Sequence, residues 1–187
     1  MRVRAVVIVA WIVFWASSGP NAAGADRRAL RLHDIHRGED LSVRPFGHYG
    51  IPARSAWLRL SHFWRSRTGE RIVVHPRLLR ILVQVQRHFA ARRLELFSGY
   101  RAPVDPRQLS SYHQVGHAAD VSIAGVAHRA VFEYCRRLPD LGCGYYPRGR
   151  HVHIDVRSRA TVWVDLSGYG DGGFYVRDPA AWLGVHR

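Results

Sequence analysis

The sequence predicts a small single-domain α+β fold, with a mainly antiparallel sheet and helices packed on one side. Three observations predict it. The 187 residues are 47% hydrophobic and 22% charged, enough for one real core and too apolar for disorder. Segments that alternate apolar and polar residues, the strand period, recur along the chain. Between them lie segments whose apolar residues follow the helical period, with no internal repeat and no low-complexity linker.

The first 25 residues stand apart. "MRVR" is a basic start, "AVVIVAWIVFWA" an apolar run, and "GPNAAGA" a small-residue stretch ending at Ala25. That order is a secretory signal peptide over residues 1–25, cleaved before Asp26. The other reading, an uncleaved anchor, needs a run of about 20 apolar residues, and this one is shorter. A domain over 26–166 and a glycine- and aromatic-rich tail over 167–187 follow.

"RALRLHDIHRGEDLSVR" alternates, turns at "HRGED", and reads as a hairpin. "IPARSAWLRLSHFWRSRTG" predicts a short helix ending at Gly69, with Trp57, Leu60 and Trp64 on one face. "HPRLLRILVQVQRHFAARR" predicts the clearest helix: Pro76 suits its first turn, and Leu78, Leu82, Val85 and Phe89 form a stripe. "LELFS" is a strand leading into a loop punctuated by Gly99, Pro103 and Pro106. "ADVSI" is a strand, and "VAHRAVFEYCRRL" a helix that buries Ala127, Val131, Tyr134 and Leu138. "HVHIDV" and "TVWVDL" are strands, and the tail is left unassigned.

The formal charge is +14, and all 28 basic residues are arginine. Losing Arg2 and Arg4 with the leader brings it to +12. Such a balance allows nucleic acid, anionic lipid or an acidic polymer as partner. The arginines are spread along the chain, and no nucleic-acid-binding motif accompanies them. In an oxidising compartment Cys135 and Cys143 are either bonded to each other or two small hydrophobes under a helix; the sequence leaves both open.

The chemistry lies in two stretches. In "HVHIDV", strand alternation puts His151, His153 and Asp155 on one face and Val152, Ile154 and Val156 on the other. "ADVSI" sets Asp120 and Ser122 opposite Val121 and Ile123 in the same way. His113 sits on the loop feeding that strand, and Gly116 and Ala118 suit a tight backbone beside it. Two histidines and a carboxylate make a three-ligand zinc site with the fourth position open, the mark of a catalytic rather than a structural site. The pair His113 and His117 has helical spacing but lacks the glutamate of H-E-x-x-H and has Gly116 inside it, so a zincin helix is not expected. His33, His36, His48, His62, His75, His88, His128 and His186 read as ordinary surface or core residues.

"SYHQVGHAAD", with "SGYR" upstream and "HVH" downstream, resembles the D-Ala-D-Ala metallopeptidase group, whose fold the hedgehog signalling domain shares. "RALRLHDIHRGED", "HPRLLRILVQVQ", "GCGYYPRGRHVHIDV" and "RATVWV" are similar to its exported murein endopeptidase branch, over roughly residues 28–164. The resemblance implies a hedgehog/D,D-peptidase-like fold and one zinc per chain on His113, Asp120 and His153. It implies Arg101 as the group holding a substrate carboxylate or carbonyl, and Ser111 as a support or substrate contact. Carboxypeptidase and dipeptidase members place a glutamate base just before the third ligand; here Arg150 and His151 stand there. His151 is therefore the candidate acid–base group, and Asp155 the candidate to orient a ligand histidine. Asp105 and Pro106 also stand where the endopeptidase branch tends to carry asparagine.

The expectation is an exported zinc murein endopeptidase of the periplasm or cell envelope, monomeric, with peptidoglycan as partner and neither nucleic acid nor, after cleavage, membrane. The rivals are a D-Ala-D-Ala carboxypeptidase and a non-catalytic zinc-containing cell-wall module.

Overall fold

Alternation and turn chemistry start the chain as expected. In the computed structural model, which describes residues 26–186 apart from 27, 48–49, 106, 108 and 169–171, β1 (Leu30–Asp34) and β2 (Glu39–Val43) form an antiparallel hairpin. Its turn passes through Gly38 at φ 66°, a conformation glycine adopts without penalty. The predicted signal peptide and His48 lie outside the described residues. No helix among the described residues is long and apolar enough to cross a membrane.

Helix α1 (Arg54–Phe63) stops six residues before the predicted end at Gly69. The Ser66 hydroxyl accepts the Thr68 and Glu70 amides at 3.2 and 3.1 Å, closing a separate turn that competes with the helix. Helix α2 (Pro76–His88) buries Leu78, Leu82 and Val85 as its stripe requires. Strand β3 (Leu94–Ser98) leads through the loop and a 3-10 turn (Tyr112–Val115) into β4 (Ala118–Ser122). Helix α3 (His128–Cys135) is shorter than predicted and buries Val131, Phe132 and Cys135. Ala127 serves instead as its N-cap, and Tyr134 and Leu138 are only partly buried.

Strand β5 (Leu141–Tyr146), absent from the sequence expectation, precedes β6 (His151–Val156) and β7 (Thr161–Val164). In the tail, α4 (Pro179–Val185) starts on the Asp178 side chain and sends Leu183 into the core.

The strands make one seven-stranded sheet in the order β2-β1-β3-β4-β6-β5-β7. It is mixed and, as expected, mainly antiparallel: β1 pairs with β3, and β5 with β7, in parallel. The other four pairings are antiparallel. Both parallel pairs join strands separated by helical or strand segments, so the return path decides their direction. Helices α2 and α3 cover the sheet face formed by Leu32, Leu94, Val121, Val152 and Ile154, which share their buried core. A disulfide ties Cys135 at the end of α3 to Cys143 in β5, settling the question the sequence left open.

Candidate metal centre

Strand register sets the site. Across the face turned away from that core, Ser98 of β3 pairs with Asp120 of β4, and Asp120 with His153 of β6. His153 in turn pairs with Gly144 of β5, and Gly144 with Trp163 of β7. Between Leu96 and Ser98 the register with β4 slips by a residue, a bulge of the kind that re-aims side chains beside sites.

His113 reaches this row from the 3-10 turn. Ser111 caps the turn, accepting the His113 amide at 3.3 Å, while the Gln114 side chain accepts the Ser111 amide at 3.1 Å. Gly116 closes the turn at φ 71°, where a Cβ would lie 2.6 Å from the Val73 carbonyl, so only glycine fits. Trp64 presses on Gly99, where a Cβ would meet its ring at 2.8 Å, and the Gly99 carbonyl accepts from His113 Nδ1 at 2.7 Å. A carbonyl only accepts, so Nδ1 carries the proton and Nε2 keeps its lone pair.

Three potential ligand atoms converge. His113 Nε2 lies 3.2 Å from His153 Nδ1 and 3.3 Å from Asp120 Oδ1, and the last two are 2.9 Å apart. Ligands about 2.0–2.1 Å from a tetrahedral ion stand about 3.3 Å from one another, so the triangle fits one small divalent cation. All three residues are buried. Burial alone pushes the Asp120 carboxyl up, but the facing imidazoles of His113 and His153 outweigh it and hold it well below the usual carboxylate range. Burial likewise disfavours charge on His153, yet its hydrogen bonds with Asp120 and Asp155 lift it above the ordinary imidazole value. Polar groups buried this closely are costly without partners, and a cation held among the three ligand atoms would be one.

The sequence from residue 22 to 162 matches the protein family described as peptidoglycan L,D-endopeptidase MepK. The chain belongs to this family. Peptidoglycan L,D-endopeptidase MepK of Escherichia coli (strain K12) is 31% identical over 140 residues, covering 69% of this chain and 76% of the relative. The protein of that name from Shigella flexneri matches to the same extent. Probable peptidoglycan L,D-endopeptidase MepK of Haemophilus influenzae is 29% identical over 144 residues, 69% of this chain and 75% of its own. No solved structure matches the chain. The resemblance to the murein endopeptidase branch is thus borne out, and with it a family of metallopeptidases.

Around the triangle, the other site residues of this MepK-family chain fall in distinct places. Arg101 reaches back onto the site: its Nη2 meets Asp120 Oδ2, and its Nε donates to Ser98 Oγ at 2.8 Å. Its side chain is still 53% exposed. Asp155 is fully buried, and its Oδ2 accepts from His153 Nε2 at 2.9 Å. His151 stacks on Tyr146 at 4.6 Å and donates from Nδ1 to the Gly149 carbonyl at 2.9 Å, leaving Nε2 as its basic nitrogen. It is partly exposed and hydrogen-bonds to none of the three ligands.

Sequence reasoning missed the far wall. The Trp163 ring lies 5.1 Å from His153 and donates from Nε1 to the Tyr146 hydroxyl at 2.9 Å. Burial pushes that phenol up to about 12, so it stays protonated. Gly144 makes room for the indole, since a Cβ there would lie 2.5 Å from it. "GCGYY" held a usable signal: glycines two apart, alternating with Cys143 and Tyr145, mark a strand that another group approaches closely.

Proposed function

We propose that this chain is an exported zinc endopeptidase of the cell envelope that cleaves L,D crosslinks in peptidoglycan, works as a monomer, and has the hedgehog/D,D-peptidase fold. The observation that carries this reading is the closed triangle of His113 Nε2, Asp120 Oδ1 and His153 Nδ1 in a chain of the MepK family. The crosslink type follows the name its relatives bear.

His113, Asp120 and His153 would hold the zinc, with Ser111 fixing the turn that presents His113. Zinc bound there supplies Lewis acidity, polarising a scissile carbonyl and making a water molecule more acidic. His151 accepts a proton at Nε2, the nitrogen its bond to Gly149 leaves basic. The half-exposed guanidinium of Arg101 steadies negative charge on the substrate carbonyl or carboxylate.

The test is digestion of purified sacculi with and without chelator, followed by mass spectrometry of the released muropeptides. The expected result is chelator-sensitive loss of L,D crosslinks, about one zinc per chain, and loss of metal and activity in His153→Ala. Release of terminal D-Ala alone would replace the endopeptidase by a carboxypeptidase. Zinc binding without any hydrolysis would leave a binding module.

A further inference from the structure

The Arg157 guanidinium lies behind the metal centre, 17% exposed, and none of the sequence motifs includes it. Its Nε donates to Asp155 Oδ1 at 2.6 Å and its Nη2 to Asp155 Oδ2, the oxygen that also accepts from His153 Nε2. On its other side, its Cζ lies 4.6 Å from the centre of the Tyr112 ring, in the residue before His113. The Trp163 ring, which also faces His153, lies 5.4 Å away. Beneath the pair runs β5, where a Cβ on Gly142 would overlap Asp155 Oδ2 and sit 2.5 Å from Arg157 Nε.

We infer that Arg157 is the positioning residue of the metal centre, coupling the strand that carries His153 to the turn that carries His113. The inference rests on the metal-centre reading above. With the fork of Arg157 on both its oxygens and no solvent around it, the Asp155 carboxylate has one orientation. A carboxylate accepts and does not donate, so His153 Nε2 carries its proton toward Asp155. His153 Nδ1 then keeps its lone pair for the ion. Only arginine does this: a lysine ammonium is a point charge and spans neither both oxygens nor the Tyr112 face equally well. Arg157 acts through Asp155 and Tyr112 and meets no substrate.

The experiment measures zinc affinity by chelator competition, the visible spectrum of the cobalt-substituted protein, and the melting temperature of the metal-free protein. In Arg157→Gln, zinc binding is expected to weaken by about 10- to 100-fold, the scale of outer-shell partners, with a changed cobalt spectrum. Arg157→Lys should not restore either. Gly142→Ala, which removes no functional group but displaces the pair, should weaken zinc binding in the same direction and serves if Arg157→Gln does not fold. A lowered metal-free melting temperature with wild-type zinc affinity and cobalt spectrum would make the pair merely structural and overturn the inference. A wild-type protein that binds no zinc overturns the metal-centre reading itself.

Discussion

His75 shows how a single ring serves two purposes. It caps α2, accepting the Arg77 amide at Nδ1 over 3.2 Å, and it packs edge-on against His117 at 4.3 Å. Burial first, then His117, Arg77 and Arg80, push its pKa below 6.5. An unfolded chain therefore binds more protons than the folded one just below that value, and stability falls as pH drops through 6.5 toward the folded-state pKa. Protonating Nδ1 would also end the cap. His75→Asn keeps a capping side chain and loses the titration. Thermal melts should accordingly show a shallower stability loss between pH 7 and pH 5 than in wild type; equal slopes would refute this. The melts are made on metal-free protein, where His153, shifted the other way, contributes the opposite slope to both variants. His151→Ala should retain zinc and lose about 10²-fold or more in turnover, the scale of a positioned acid–base group. Near-wild-type turnover on sacculi would assign the proton to another acceptor.

At the level of elements, β6 does two jobs because its faces differ. Val152 and Ile154 are fully buried against the core, and His153 and Asp155 serve the opposite face. Ile154→Ala should cost about 2–5 kcal/mol by the cavity it leaves, measurable by denaturant titration, while zinc stoichiometry in the folded protein stays near one. The disulfide makes a different bond between elements, joining residues eight apart in α3 and β5. Closing so short a loop stabilises by about 2–3 kcal/mol in the chain-entropy picture. The double variant Cys135→Ser/Cys143→Ser should lose that much in denaturant titration; no change in midpoint would remove the bond from the account. Since β5 lies under the Asp155–Arg157 pair, zinc affinity should loosen with it. The glycine spacing was the only sign of strand β5 in the sequence, and it competed with the weak strand propensity of those two glycines; what justifies them is the indole and the ion pair lying across them.

For the whole molecule, charge and fold act at different ranges. Peptidoglycan carries free carboxylates, and the proposed exported chain, at +12 without Arg2 and Arg4, would be drawn to such a polymer through a field that salt screens over about 10 Å at 0.1 M. Binding to sacculi should therefore weaken steeply between low and moderate salt in a pelleting assay, while hydrolysis of a small soluble muropeptide changes little. Salt-independent pelleting would assign retention to the site alone. By itself the sequence determined the hairpin, helix α2 and strand β6, since each rests on a period read within a few residues; the grouping of His113, Asp120 and His153 was implied by its resemblance to the metallopeptidase group, and the structure brings the three together. The tertiary structure alone decided the mixed strand order, the row from Ser98 to Trp163, and the Cys135–Cys143 bond. It also decided that Arg101 lies on Asp120 and that Arg157 stands behind His153. These depend on which distant segments pair and how closely backbones approach, and local periodicity holds no record of either.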